Sequence, residues 1–446
     1  MARSSPAART ALPQVAREFG CVLSDLDDAF ELEPTRLRLL LDHLSRIEDP
    51  REPHRVAHPL GEILLLAICG TIVGCDDYDA IADWGEVHLG FLREILPFHY
   101  GVPGGRWLTI MMNRINPALF AACFTGWVRA CWPELQNLVA IDGKTLRRSH
   151  DRAAEKPALH LVSAFATTGG LVLGQEAVSE KANELSAIPV LLERLAENDG
   201  LKGATVSIDA IACNGRIAQN IRDAGAHYLL AVKANQPGLR QEIENLFMEV
   251  PKAGLESFDD VDKGHGRIEQ RKVTVARDVD WLNGTRRFPG ELRLPDAATV
   301  IKVESKVQLK DRCRHDTRYY ISSSVAAAEK LAQAVRGHWR IENQLHWVLD
   351  VVFNEDQSRL RKGHGAKNMA VVRHFALNLV RLAPENLIPE RRSLRRKPQP
   401  HRRRPRSSRP ASLFRCRDAP PAPRDLGRPR SRPHRADGAR DGEAVP

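Results

Sequence analysis

The chain has 446 residues, 43% hydrophobic and 27% charged, a length beyond what one hydrophobic core usually holds and a balance that excludes a disordered polymer. Its eight cysteines lie far apart without a CxxC pair, which excludes a disulfide-stapled secreted module and fits reduced cytoplasmic thiols. The formal charge of +10 is uneven: residues 391–446 carry 18 Arg and Lys against 5 Asp and Glu, so the rest of the chain is slightly acidic.

Residues 1–33 are rich in Ala, Arg and Ser and lack a helical apolar period, so they read as a flexible leader. Over 34–132 apolar residues recur three and four apart, in LRLLLDHLSRI, PLGEILLLAICGTIVG and DDYDAIADWGEVHLGFLREIL. That spacing predicts a small all-α domain. Pro59 suits a first helical turn, and Gly74 followed by Asp76 and Asp77 supplies a stop and a fresh N-cap. The longest apolar run, Leu60 to Cys75, is broken by Glu62 and falls short of the ~18 residues of a membrane span.

From 135 to 383 the pattern becomes mixed α/β. LVAID and ALHLVSAFA read as strands, a Thr-Thr-Gly-Gly turn and LVLGQEAVSE complete a hairpin, and NELSAIPVLLERLAEN, GATVSID, NGRIAQNIRDAG and HYLLAVKANQ alternate helix and strand. Alternating polar and apolar residues over about 251–324 predict a β-rich antiparallel insertion. A helix is expected from about Ala327 through Phe353, and NMAVVRHFALNLVRLA reads as another. Residues 384–446 read as a disordered Arg/Pro-rich tail, which could also bind polyanions.

Three carboxylates organise the chemistry. Asp142 and Asp209, 67 positions apart, each end an apolar run with the look of a buried strand, and Glu342 sits on the late helix among Trp339, Ile341, Leu345, Trp347 and Val348. Adjacent strands could bring the aspartates together, and the helix could supply the third oxygen cluster. Such a set is what two Mg²⁺ or Mn²⁺ ions would need for phosphoryl transfer. Bland readings stand beside it: Asp142-Gly143 is a common turn former, Asp209 could cap the helix beginning near Asn214, and a helix glutamate is commonly a solvated charge. Lys144 and Arg147 follow Asp142, and Lys233, Asn235 and Gln236 end a strand, so all five could reach phosphates. His265, Arg267, Glu269 and Arg271 alternate along one strand face, which makes Glu269 a rival for the third carboxylate. Glu342, His346 and Asp350, spaced by four, with His338 nearby, suggest a metal cluster, yet the HExxH order of a zinc helix is absent. The absence of GxxxxGK[ST] argues against an ATP-driven mechanism.

The order of IDGKTLRRS, HLVSAFA, EKANELSAIPVLL, TVSIDAIACN, YLLAVKANQ, HGRIEQR and HWRIENQLHWVLDVVFNED, after DPREPHRVAHPLGEILLLAICGTIVGCDDYDAIADWG, closely resembles the H-repeat-associated insertion-sequence transposases of the DDE superfamily. The resemblance covers roughly residues 40–380. It implies a ribonuclease-H-like mixed sheet, Asp142, Asp209 and Glu342 as the acidic triad, and cleavage at element ends followed by strand transfer. Double-stranded DNA, a homodimer in a synaptic complex and a nucleoid-associated cytoplasmic location are the expected setting. Alternatives are a decayed DNA-binding remnant and a ribonuclease-H-fold nuclease without strand transfer. Two stretches depart from the family, Gly104–Met112 and the chain after Ala383; both read as frameshift products, and resequencing the gene would decide that.

Overall fold

The structure, a computed structural model, describes residues 36–382 except 134–136, 152–154, 179–182, 210–212, 252–253, 265–266, 285–290 and 309–311. The leader and tail expected from the sequence lie outside the described residues.

Among the described residues six α-helices come first: α1 (Arg36–Ser45), α2 (Leu60–Ile72), α3 (Tyr78–Val87), α4 (Leu89–Ile95), α5 (Gly105–Arg114) and α6 (Pro117–Cys131). The punctuation read from the sequence acts as expected. Pro59 is the N-cap of α2, Gly74 takes a left-handed φ of 87°, and the Asp77 carboxylate accepts from Ala80 N at 2.8 Å. Apolar on all sides, α2 is buried along nearly its whole length, as an all-round apolar helix must be. Glu62, which breaks that apolar run, is also buried; its Oε1 accepts from Phe98 N at 2.7 Å, where Phe98 holds an uncommon left-handed φ of 42°. None of the described helices is long and apolar enough to cross a membrane.

The stretch read from the sequence as a departure and a frameshift product, Gly104–Met112, forms most of α5 and fits closely. Leu108, Met111 and Met112 are fully buried, and the Asn113 side chain accepts from Gly365 N at 2.9 Å. A Cβ added at Gly105 would lie 2.7 Å from Asp79 Cα and 2.8 Å from its N. Gly105→Ala is therefore expected to cost about 1–3 kcal/mol, because backbone rather than a flexible side chain must move. An unchanged urea midpoint for the variant would show that α3 and α5 are not packed this closely.

The sheet has nine strands: β1 (Leu138–Thr145), β2 (His160–Ala166), β3 (Leu171–Ala177), β4 (Thr205–Ile208), β5 (His227–Val232), β6 (Glu256–Gly264), β7 (Arg267–Ala276), β8 (Thr299–Gln308) and β9 (Cys313–Ser322). Their order is β3-β2-β1-β4-β5-β9-β8-β7-β6. β1, β4 and β5 run parallel, while β2 and β3 pair antiparallel on the other side of β1. That is the ribonuclease-H-like arrangement expected from the sequence. The β-rich insertion continues the same sheet, because β9 pairs with β5 and carries β8, β7 and β6 outward. Helices α7 (Glu184–Ala196), α8 (Gly215–Asp223) and α9 (Pro237–Glu249) fall between the strands.

The chain then enters α10 (Ala328–His338), a π-helical turn (Ile341–His346), α11 (Trp347–Val351) and α12 (Gly365–Leu382). One continuous helix from Ala327 to Phe353 was expected; the chain instead widens at Ile341, where Trp347 N donates to Glu342 O five residues back. Apolar spacing cannot detect such a turn, because Ile341 and Leu345, both fully buried, anchor the same side in either coil. α12 packs against α2, α5, α6 and β3, so the helical region and the sheet share one core.

Candidate metal centre

β1 positions the first carboxylate. Its parallel pairing with β4 ends at Ile141↔Ile208, but its antiparallel pairing with β2 continues through Asp142↔Ser163 to Thr145↔His160. Asp142 thus lies inside a strand rather than at a turn, at the point where one neighbour stops. Gly143 is there for close approach: a Cβ on it would meet Glu184 Oε1 at 2.3 Å. Asp209 follows the last paired residue of β4, so register places the two aspartates on adjacent strands, which lie about 4.8 Å apart.

The π turn brings the other groups. Ligand atoms of Asp142, Glu342 and His346 all lie within 4.8 Å of one another. His346 Nδ1 is 3.5 Å from Asp142 Oδ2 and 3.5 Å from Glu342 Oε2, while its Nε2 is buried without a hydrogen-bond partner. Burial pushes the His346 pKa below its ordinary value, which keeps the ring neutral. Asp142 is pushed up to about 7, first by burial and then by the Glu342 charge, with a smaller push from Glu184. The expectation that apolar neighbours enclose Glu342 is corrected: its side chain is 52% exposed, and Trp339 and Trp347 are themselves exposed.

Asp209 stands beside this cluster rather than in it, with its Oδ2 2.5 Å from Lys233 Nζ. It does not cap α8; the Asn214 side chain does, accepting from Ile217 N. His338 bonds Ser207 Oγ through Nδ1 at 3.0 Å, and Asp350 is 2.5 Å from Lys144, so neither joins Glu342 and His346 as a zinc helix would require. Glu269 pairs with Arg271 at 2.7 Å on β7.

Among the residues expected to meet phosphates, Lys144 is committed elsewhere. Its side chain is 12% exposed and lies 2.8 Å from the fully buried Glu355. Arg147 is 83% exposed with a long 3.4 Å pair to Asp356, and Lys233 is exposed beside Asp209. Gln236 donates to Cys213 O at 2.6 Å, Asn235 lies in the turn before α9, and Arg267 opens β7. His265 lies outside the described residues.

One contributor escaped the sequence reading, and His346 entered it only in a cluster with Glu342 and Asp350, whereas it meets Asp142 and Glu342. Glu184 opens α7 and accepts from His160 Nε2 at 2.7 Å, and that ring also meets Thr145 Oγ1 at 2.7 Å. The glycine following Asp142 was the available signal, since a residue with no Cβ on a strand often marks a close neighbour.

A hard divalent cation fits what is present. Two carboxylates supply the oxygens that Mg²⁺ and Mn²⁺ prefer and offset the ion's charge, whereas the imidazole Nδ1 is a donor better suited to softer metals.

The transposase DDE domain family matches residues 133–379, and a second family, described as DDE_Tnp_1-associated, matches 41–128. The H repeat-associated protein YhhI of Escherichia coli (strain K12), named as a transposase, is 38% identical over 349 residues, covering 77% of this chain and 90% of that protein. An uncharacterised protein from the dhlA 3′ region of Xanthobacter autotrophicus is 36% identical over 289 residues, 63% of this chain and 92% of its own length. A solved piggyBac transposase synaptic complex with hairpin DNA aligns at 9% identity and a TM-score of 0.33, over 86% of this chain and 78% of that one.

Proposed function

The chain belongs to the DDE transposase family, and from that premise we propose that it is the metal-dependent transposase of an insertion sequence, cleaving DNA at the element's ends and joining them to a target. What carries the reading is the meeting of Asp142 from β1 with Glu342 and His346 from the π turn, within 4.8 Å, in a chain of this family.

Asp142 and Glu342 would hold the ions, Mg²⁺ or Mn²⁺, with Asp209 as the third acid of the set and His346 beside them. Bound there, a pair of divalent cations supplies an activated attacking hydroxyl and a stabilised leaving oxygen. The remaining work belongs to the protein. β1 is a central strand, so the Asp142 carboxylate is held in place by pairing on both sides up to Ile141. The neutral His346 ring confines the gap between the two carboxylates, and the exposed side of Glu342 leaves the site open to a duplex. Lys233, whose ammonium lies against Asp209, and the exposed Arg147, five residues beyond Asp142, would contact the backbone phosphates. No side chain here is set up as a covalent nucleophile; water would attack in the first step and a DNA 3′-hydroxyl in the second. Element ends and target are both double-stranded DNA, and joining two ends calls for a homodimer.

Incubating the purified protein with duplexes bearing the element's terminal repeats, with and without Mg²⁺ or Mn²⁺, tests this. Metal-dependent 3′-hydroxyl ends followed by strand-transfer products are expected. Binding without cutting would replace the proposal with a DNA-binding remnant, and cutting without joining would replace it with a nuclease.

A further inference from the structure

Outside the acidic cluster, the polar stretch between α1 and α2 builds a pocket. Arg51 is its frame: Nε meets Asp49 Oδ1 at 2.8 Å, Nη2 meets Asp49 Oδ2 at 2.6 Å, and Nη2 also donates to His58 O at 2.7 Å. The side chain is only 4% exposed. These bonds use Nε and both hydrogens of Nη2, so Nη1 alone is left to donate. Nη1 is buried without a partner, and so is Nδ1 of His58. Both residues line a pocket of about 210 Å³ whose wall also includes Arg55, Trp107 and Gly104. Arg55 is exposed on the short 3₁₀ turn Pro53–Arg55, and Trp107 is half-buried on α5.

A buried donor left without an acceptor costs about 1–3 kcal/mol, and native structures keep few of them. Here two nitrogens share one pocket, and one belongs to a guanidinium already fixed by a carboxylate. A guanidinium held in place, with its Nη1 still unpaired and a second arginine beside it, suits an oxyanion better than a neutral group. Trp107 adds apolar surface to the pocket wall, which suits a sugar next to that anion.

We propose that this pocket is a phosphate subsite that holds a backbone phosphodiester of bound duplex DNA. The choice of DNA as the source of the phosphate rests on the transposase reading. The contact is sequence-independent and fixes the position of the helical region on the duplex.

Arg51 also staples the loop, so its removal would confuse folding with binding. Arg55→Gln and Gly104→Asp avoid this. Gly104 is the N-cap of α5, and a Cβ there would meet nothing within 4 Å; aspartate is a good N-cap and places a repelling charge at the pocket. Duplex binding by the full chain is measured by fluorescence anisotropy across a salt series, alongside calorimetric titration with inorganic phosphate. Each variant is expected to weaken duplex binding about tenfold, to lower the slope of log affinity on log salt by about one, and to keep the wild-type melting temperature. Wild-type affinity and slope in both variants would overturn the proposal, even if the wild-type protein cuts DNA. Loss of phosphate binding alone, with duplex affinity unchanged, would overturn the assignment to DNA. Failure of cleavage with the binding losses intact would instead remove the catalytic reading and leave this one standing.

Discussion

Asp142→Asn is expected to abolish DNA strand cleavage, by about a thousandfold or more, and at the same time to make the metal-free protein more stable than wild type at pH 8. Both effects come from the same location. Asp142 is mostly buried, and Glu342 faces it, so its carboxyl is pushed from 3.8 up to about 7. The sign follows from linkage: an acid whose folded pKa is raised loses stability as pH climbs from its unfolded value towards its folded one. Below pH 3.8 both states are protonated and the residue contributes nothing; above about 7 the full cost is present. That cost is a few kcal/mol, with about 4 kcal/mol as its ceiling at 1.36 kcal/mol per unit. An asparagine escapes it. Urea melts in chelator at pH 4 and pH 8 should therefore show the variant's advantage only at the higher pH. Equal stability of the two proteins at pH 8 would contradict the crowding of Asp142 and Glu342, and surviving cleavage would remove Asp142 from the site. Glu342→Gln should match the loss of cleavage with a smaller gain in stability, since its side chain is 52% exposed.

Lys144→Met should have the opposite effect on stability, a loss of about 3–5 kcal/mol. Lys144 lies two residues beyond Asp142, on the same face of β1, and its ammonium bridges Asp350 at 2.5 Å and Glu355 at 2.8 Å. Burial alone would raise the Glu355 pKa, yet Lys144 and then Arg373 hold it below its ordinary value. Arg373 is 3.7 Å away and cannot replace the short bond from lysine. Removing the ammonium leaves a carboxylate that is 1% exposed facing a weaker partner. Because the Glu355 pKa is depressed, the pair's contribution is present above the ordinary pKa of glutamate and disappears as pH falls below it. Lys144→Met combined with Glu355→Gln should recover part of the loss, a coupling that a double-mutant cycle measures. Additive losses would mean that the two side chains do not interact as described.

Much of the fold could be read from residue patterns because its elements obey simple periods. The helices α1 to α4 announce themselves by apolar spacing, and β1, β2, β3 and β5 by continuous apolar runs in strands buried on both faces. What the patterns could not carry was geometry that depends on a single residue of offset. Asp142 looked like the end of a strand because polarity begins there, yet β2 keeps pairing with the polar half of β1. The π turn was invisible because Ile341 and Leu345 satisfy either coil. It is also what puts His346 and Glu342 against Asp142. Lys144 read as a phosphate contact because its partners Asp350 and Glu355 are more than 200 positions away. Charge and exposure are independent, and only packing decides between them.

The burial of α12 also bears on how the chain is made. It is enclosed from Gly365 to Leu379, and Asn378 bonds both the N–H and the carbonyl of Val172 on β3, at 3.0 and 2.8 Å. Until this helix is made, the faces of α2, α5, α6 and β3 that it covers stay exposed, so its docking is expected to be a late step of folding. The same requirement sets a threshold for damage to the gene. A nonsense codon or frame change beyond Leu382 spares every core side chain of the helix, whereas one before Gly365 removes the helix that joins the two regions.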